Sequence, residues 1–162
     1  MFFWFIATAV FAVGFVFRDP RFDNRLLIVG SVLPLLDGIF GGARALHSIT
    51  VSIALLVVLM LATSGRKPIR KMLLGIPIGM FMHLVFDAAW NDTDTFWWPF
   101  TGFEFADAEF PIAARGWWSV VLEALGVAGC VWLLRHNQLG DAARRRHFFS
   151  TGQLSAVPER FG

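Results

Sequence analysis

His83 and Asp87 are two ionisable residues that stand four positions apart in an otherwise apolar stretch, residues 73–90. This spacing puts both side chains on one face of an α-helix. Ionisable groups at membrane depth are costly and commonly serve an ion, a proton or a polar partner. Imidazole nitrogen and carboxylate oxygen are also ligands that zinc, manganese and iron accept. The pair therefore predicts a metal site, and the alternative is a buried hydrogen-bonded pair that stabilises the fold.

The composition of the chain points to a membrane protein. Hydrophobic residues make up 56% of the sequence and charged residues 16%, and the mean hydropathy is +0.61. A soluble domain of 162 residues does not hide so much apolar surface in one core. The lone Cys130 excludes a disulfide within the chain. The pI of about 9.3 comes from basic clusters beside apolar segments, so we expect topology signals and no nucleic-acid binding.

Five apolar segments predict an all-α, polytopic bundle of about five transmembrane helices. Several of them are shorter than the roughly 20 residues of a typical span. The second contains Pro34 and Asp37, so we expect a broken or re-entrant helix there. The segments are residues 2–17, 26–40, 49–63, 72–90 and 117–134.

Positive charge predicts the orientation of this bundle. If all five segments cross the membrane, twelve of the 14 basic residues lie on one side, which is the cytoplasmic side by the positive-inside rule. The N-terminus is then outside, residues 1–134 form the transmembrane domain, and residues 135–162 form a basic cytoplasmic tail. We expect the tail to contact anionic lipid headgroups, with partner binding as the alternative. The other side holds only Arg44 and Arg115.

The predicted topology brings several possible ligands to the depth of the outer leaflet. His83 and Asp87 lie in the outer half of the fourth segment, Asp37 near the outer end of the second, and His47 at the start of the third. Glu123 follows the outer start of the fifth by about two turns of helix. Two imidazoles and two or three carboxylates suit a divalent metal, for which zinc is favoured and manganese or iron are alternatives. Such an ion activates water for attack on an ester or phosphoester.

Each of these residues also has a purely structural interpretation. Asp37 precedes a glycine, a pair typical of turns, and the serine after His47 could cap a helix. Glu123 could be a ligand, a general base or a partner of Arg115. His136 and His147 lie on the predicted cytoplasmic side and receive no role.

The outer loop from Asn91 to Gly116 is both acidic and aromatic. Its tryptophans and phenylalanines predict an interfacial aromatic belt, and the alternative is a lid over the site. Asp92, in this loop, and Glu123 are the candidates for a catalytic base. Arg44 and Arg115 are candidates for binding the anion of a substrate or headgroup, and pairing with the acidic loop is the alternative.

Four motifs in order along the chain resemble those of the YdjM-like metal-dependent hydrolases of bacterial inner membranes. The resemblance covers roughly residues 26–103 and implies an all-helical membrane bundle with a distant relation to zinc-dependent phospholipase C; one member of the family binds LexA. It also implies Asp37, His47, His83 and Asp87 as metal ligands. The motifs are Gly30-Ser31-Val32-Leu33-Pro34-Leu35-Leu36-Asp37, His47-Ser48, His83-Leu84-Val85-Phe86-Asp87 and Trp98-Pro99-Phe100.

The chain departs from the family pattern at two ligand positions. Leu35 stands where the family commonly has the first residue of an Asp-x-Asp pair, and the run of residues 42–48 lacks the first of two histidines. These two departures argue against the binding of a second metal ion. The alternatives that remain are an enzyme with one metal ion and a family member that binds without catalysing a reaction.

Together these patterns predict a multi-pass protein of the bacterial plasma membrane that hydrolyses an ester or phosphoester of a lipid or lipid-linked substrate. The alternative is a non-catalytic membrane protein, either an ion-binding component of a transporter or an interaction scaffold. The inner halves of the segments offer almost no polar residues to continue an ion path. This favours a one-sided site over a conduit.

Overall fold

The computed structural model describes residues 1–104 and 115–154, and all regular secondary structure in these two ranges is helical. The predicted all-α class is confirmed for this part of the chain. Three short 3-10 helices, Leu33–Phe40, Ala45–His47 and Ala89–Asn91, lie between the α-helices. The α-helices are α1 (Phe2–Phe17), α2 (Asn24–Val32), α3 (Ile49–Ala62), α4 (Lys67–Leu73), α5 (Gly75–Phe86), α6 (Thr93–Phe96), α7 (Trp117–His136) and α8 (Ala142–Thr151).

Two stretches of helix are long and apolar enough to cross a membrane, Lys67–Phe86 and Trp117–His136. The first runs through α4 and α5, and the second is α7. Only 6% of the most apolar window of α7 is buried, so most of its apolar side chains are wholly or partly exposed. This supports membrane association by length and composition. Since α1 and α3 are apolar but shorter, the arrangement of five spans stays a prediction.

The second apolar segment is a broken helix, as its proline predicts. Asp23 begins α2 by accepting the backbone N–H of Arg25 at 3.0 Å. After Val32 the chain continues as a 3-10 helix in which each N–H reaches back three residues. The group that would bond the carbonyl of Ser31 in this pattern is the nitrogen of Pro34, which carries no hydrogen. The Ser31 carbonyl is therefore left to accept a hydrogen bond from outside its own helix.

Helices α2 and α5 approach each other through glycines. A Cβ added at Gly30 would lie 2.2 Å from the carbonyl oxygen of Ile76, and one added at Gly79 would lie 2.3 Å from that of Leu27. Only hydrogen fits at these positions, which is how small residues let two helix backbones pack closely in membrane proteins. One turn beyond Gly79, the close approach brings His83 beside the end of α2.

Helix α7 packs in the same way against the beginning of α1. A Cβ added at Gly126 would lie 2.2 Å from the backbone nitrogen of Trp4. One turn earlier on α7, the carboxylate of Glu123 accepts the N–H groups of Phe2, Phe3 and Trp4 at 3.1–3.3 Å. These donors have no partner within their own helix, and a negative charge there is favoured by the helix dipole. Glu123 therefore fixes α1 to α7.

The tail contains a helix that packs onto the bundle, a feature that its polar sequence did not indicate. Asp141 begins α8 by accepting the N–H groups of Arg144 and Ala143. These hydrogen bonds hold the pKa of the Asp141 carboxyl below its ordinary value, so it is charged at neutral pH. At the other end of α8, the carbonyl of Gly152 accepts the backbone N–H of Asn24 at 2.8 Å. The helix is thus anchored to the beginning of α2.

The contact between α2 and α5 predicts the effect of one added methyl group. In Gly79→Ala the new Cβ would meet two backbone atoms of α2, at 2.3 and 2.6 Å, and such overpacking costs about 1–3 kcal/mol of unfolding free energy. Gly14→Ala is the matched control because nothing lies within 4 Å of its Cβ. Thermal unfolding in detergent should show a lower Tm for Gly79→Ala and an unchanged or higher Tm for Gly14→Ala. Equal melting temperatures for the two variants would contradict the close packing of α2 against α5.

Candidate metal centre

His47, His83 and Asp87 converge on one small buried region. One possible ligand atom from each residue lies within 4.8 Å of those of the other two. The three residues are 2%, 1% and 1% exposed, respectively. His47 ends the 3-10 helix after the second apolar segment, His83 lies in the last turn of α5, and Asp87 is the residue that ends α5. Two imidazoles and a carboxylate form a ligand set typical of catalytic zinc, in which other positions stay open.

The orientation of His83 is set by two contacts. Its Nδ1 lies 2.6 Å from the carbonyl oxygen of Ser31, and its ring stacks on Phe5 with the ring centres 3.7 Å apart. Because a carbonyl only accepts, Nδ1 carries the hydrogen and the lone pair of the neutral ring is on Nε2. That Nε2 is buried and has no hydrogen-bond partner among the described residues. The ring therefore presents an acceptor to the cluster.

His47 is oriented by the carboxylate of Asp37. Its Nδ1 lies 2.9 Å from Oδ2 of Asp37, and the same oxygen accepts the backbone N–H groups of Arg44 at 2.9 Å and Leu46 at 3.1 Å. With the hydrogen on Nδ1, the lone pair of the neutral ring is on Nε2, which lies 3.8 Å from Oδ2 of Asp87. A histidine whose outer nitrogen donates to a carboxylate is the usual arrangement of a metal-binding imidazole.

Asp37 lies behind His47 and outside the group of three converging residues. The sequence predicted it as a direct ligand together with His47, His83 and Asp87, and the structure brings together the last three. The physical reason is the turn between residues 37 and 47, which directs three N–H donors at one carboxylate oxygen of Asp37. Its contacts make it a residue that orients His47.

Arg115 holds the carboxylate of Asp87. Its guanidinium donates to Oδ1 of Asp87 at 3.1 Å and also to the backbone carbonyl of the same residue. Oδ2 of Asp87 remains directed toward His47 and has no hydrogen-bond partner among the described residues. The Arg115 side chain is 23% exposed, so the pair reaches from the buried cluster toward the surface.

The remaining predicted site residues have backbone contacts of their own. Arg44 directs its Nε to the carbonyl of Phe40 at 3.0 Å. Asp92 begins α6 and accepts the N–H of Thr95 at 3.3 Å, while Glu123 binds the start of α1. The described contacts place neither carboxylate on the cluster, so a role as catalytic base stays a prediction for both. Ser31 and Phe5, to which the sequence assigns no role at the site, contact His83 directly.

Ser48 connects the site to the segment that follows α5. Its hydroxyl lies 2.7 Å from the carbonyl oxygen of Trp98 and 3.2 Å from that of Phe96, and it accepts the N–H of Thr50 at the start of α3. The helix cap considered for this serine is therefore present. Residues 105–114 of the acidic and aromatic loop lie outside the described residues, so its role as a belt or a lid stays a prediction.

The comparisons with known proteins do not assign the chain. It matches no family model, and it is similar to no curated protein and no solved structure. The resemblance to the YdjM-like hydrolases therefore stays a prediction that depends on its four short motifs.

The contacts of Ser48 predict how firmly residues 93–98 are held. Ser48→Ala removes a hydroxyl that donates to this segment, and the loss of one hydrogen bond of about 1.4 kcal/mol raises local opening about tenfold. Amide hydrogen exchange of residues 93–98 should therefore become faster. Ser52→Ala is the control because the Ser52 hydroxyl, one turn later in α3, bonds the carbonyl of Pro77 instead. Unchanged exchange in Ser48→Ala would show that other contacts hold the segment.

Proposed function

We propose that this chain is a membrane-embedded, metal-dependent hydrolase in which His47, His83 and Asp87 hold one divalent ion. The observation that carries the proposal is the convergence of these three buried residues within 4.8 Å. Zinc is the favoured ion, and manganese or iron would also accept this ligand set. The proposed reaction is hydrolysis of an ester or phosphoester, for which the bound ion would supply Lewis acidity.

The donor set fits a cation better than it fits a purely structural pair. The Nδ1 atoms of both histidines face groups that only accept, so both rings direct a lone pair inward when neutral. The third group, Oδ2 of Asp87, is also an acceptor. Burying acceptors together costs free energy unless a positive charge or a donor lies among them. A divalent ion would place such a charge between the three groups.

Four further residues have supporting roles in the proposal. Asp37 fixes the tautomer and the angle of the His47 ring. Arg115 neutralises part of the charge of Asp87, and its guanidinium is also the group best suited to bind the anion of a phosphoester. Arg44 keeps its proposed role in anion binding. Asp92 is the candidate that we keep as general base, because the carboxylate of Glu123 already binds three backbone N–H groups.

We propose a lipid or lipid-linked substrate, hydrolysed near the outer leaflet of a bacterial plasma membrane. The support is the apolar, outward-facing surface of α7 and the separation of twelve basic residues from two in the five-span topology. The motif resemblance to the YdjM-like hydrolases supports the same location and chemistry. A substrate that stays in the lipid phase would reach a site at this depth without crossing water.

The second candidate function is a non-catalytic membrane protein, either an ion-binding component of a transporter or a scaffold. The ion pair between Arg115 and Asp87 favours this candidate. Such a contact also stabilises a buried His-Asp cluster in a protein that catalyses no reaction. The two candidates differ in a measurable way. The hydrolase needs both a bound metal and a reaction.

Elemental analysis of the detergent-purified protein tests the metal site. We expect about one equivalent of metal in the parent and close to none in His83→Ala or in Asp87→Ala, because each change removes one of three ligands. His136→Ala is the control, since that ring stacks on Trp132 in the last turns of α7. Helix content by circular dichroism should be the same in all variants. Failure of the parent to bind metal even after reconstitution with zinc would contradict the site.

The reaction is tested separately on the metal-loaded parent in lipid nanodiscs. Lipid phosphoesters and lipid carboxyl esters are offered, and product release is compared with that of Asp87→Ala. Turnover only in the parent would support the hydrolase. Stoichiometric metal without turnover of either substrate class would favour the non-catalytic candidate.

The orienting role of Asp37 predicts weaker metal binding without loss of the site. Changing such a supporting partner typically costs 10- to 100-fold in metal affinity. We expect Asp37→Asn to lower the zinc affinity by an amount at the mild end of that range, because the amide oxygen can still accept from Nδ1 of His47. Asp37→Ala should lower the zinc affinity further. Titration against a competing chelator measures both. A complete loss of binding in Asp37→Asn at saturating zinc would instead make Asp37 a direct ligand.

A further inference from the structure

Helix α8 lies at the end of the bundle away from the candidate metal centre. The centre is at the C-terminal ends of α2 and α5, whereas α8 binds the N-terminal end of α2. The carbonyl of Gly152 accepts both the backbone N–H and the side-chain amide of Asn24, at 2.8 and 3.3 Å. The guanidinium of Arg25 donates to the carbonyl of Phe149, and Leu154 packs on the core between α1 and α2. Helix α8 is therefore fixed in place.

The same end of the bundle collects positive charge. The described connections and tail there, residues 18–25, 64–71 and 135–154, contain eleven arginines and lysines against three aspartates. The aspartates have partners: Asp19 binds Lys71 at 2.7 Å, Asp23 binds Arg25 at 2.7 Å, and Asp141 caps α8. The hydrogen bond from Lys71 lowers the pKa of Asp19, so this pair is charged at neutral pH. The face keeps a large excess of positive charge.

One face of α8 is exposed and combines this charge with an aromatic ring. Residues at helical spacing line a shallow groove along it, and its two arginines, Arg145 and Arg146, are exposed. The ring of Phe149 is 69% exposed, although its neighbour Phe148 is directed inward beside Leu154. The residues that line the groove are Ala142, Arg145, Arg146, Phe149 and Ser150.

We propose that this face of α8 binds anionic phospholipid headgroups, with Arg145 and Arg146 on the phosphates and Phe149 at the boundary with the acyl chains. Charge complementarity supports this occupant, since clusters of basic residues beside a membrane span are attracted to anionic lipid. Position supports it as well. Helix α7 is long enough to span the membrane and ends at His136, so α8 begins six residues beyond the span. The inference depends on membrane insertion and is independent of the metal chemistry.

A spin label at Phe149 tests the proposal. The label is attached to Phe149→Cys in a chain with Cys130→Ala, which removes the sole native cysteine. The full chain is placed in nanodiscs of phosphatidylcholine with or without phosphatidylglycerol. We expect phosphatidylglycerol to reduce collisions with a water-soluble nickel chelate several-fold and to increase those with oxygen. Added salt should reverse the change in part, because screening weakens the attraction.

Matched variants separate charge from folding. Adding Arg145→Gln and Arg146→Gln should abolish the response to phosphatidylglycerol, whereas Arg145→Lys and Arg146→Lys should keep it. Helix content by circular dichroism should be equal in both pairs. A label that the nickel chelate reaches equally in both lipids would overturn the proposal. So would protection only by an acidic peptide or an oligonucleotide, because the occupant would then be a macromolecule other than the membrane.

Discussion

The close approach of α2 and α5 is the constraint on which the candidate site depends. Gly30 and Gly79 have no side chain to separate the two backbones, so the imidazole of His83 reaches the carbonyl of Ser31. That carbonyl is available because the helix changes to a 3-10 form at Pro34. Two backbone features, the glycine contact and the proline break, thereby set the tautomer and direction of one side chain at the centre.

The electrostatics of the cluster follow from this geometry. The carboxyl groups of Asp37 and Asp87 lie in a largely apolar region, where His47 contacts the first and Arg115 contacts the second. Two backbone N–H groups hold Oδ2 of Asp37 in place, so this oxygen can orient the ring of His47. The remaining acceptors, with Oδ2 of Asp87 among them, share one small space. In the proposed function, a divalent cation would complete this arrangement in both charge and coordination.

Some of this could be predicted from the sequence because it depends on local spacing. His83 and Asp87 are one helical turn apart, and the helical class follows from the long apolar runs. The break in the second segment is likewise encoded locally by Pro34. The place of Asp37 behind His47 could not be predicted, because it depends on a ten-residue turn that brings the His47 ring beside the Asp37 carboxylate. The sequence allows a ligand or an orienting residue equally well.

Long-range contacts account for the other differences. The sequence predicts Glu123 as a candidate base because it follows the outer start of the fifth apolar segment by about two turns of helix. Its actual partners are N–H groups about 120 residues earlier in the chain, and no local pattern reports them. In the same way, the polar composition of the tail does not indicate that α8 packs on the start of α2, because the groups of α8 that accept these hydrogen bonds are backbone carbonyls, those of Phe149 and Gly152.

In the proposed metal centre, two imidazoles and one carboxylate hold a single metal ion. X-ray absorption spectroscopy of the zinc-loaded protein tests it most directly, because imidazole rings produce multiple-scattering features that simple oxygen ligands lack. We expect two imidazole ligands, oxygen in the remaining positions and no sulfur. A spectrum with no imidazole scattering, or with a second zinc ion at close range, would contradict it.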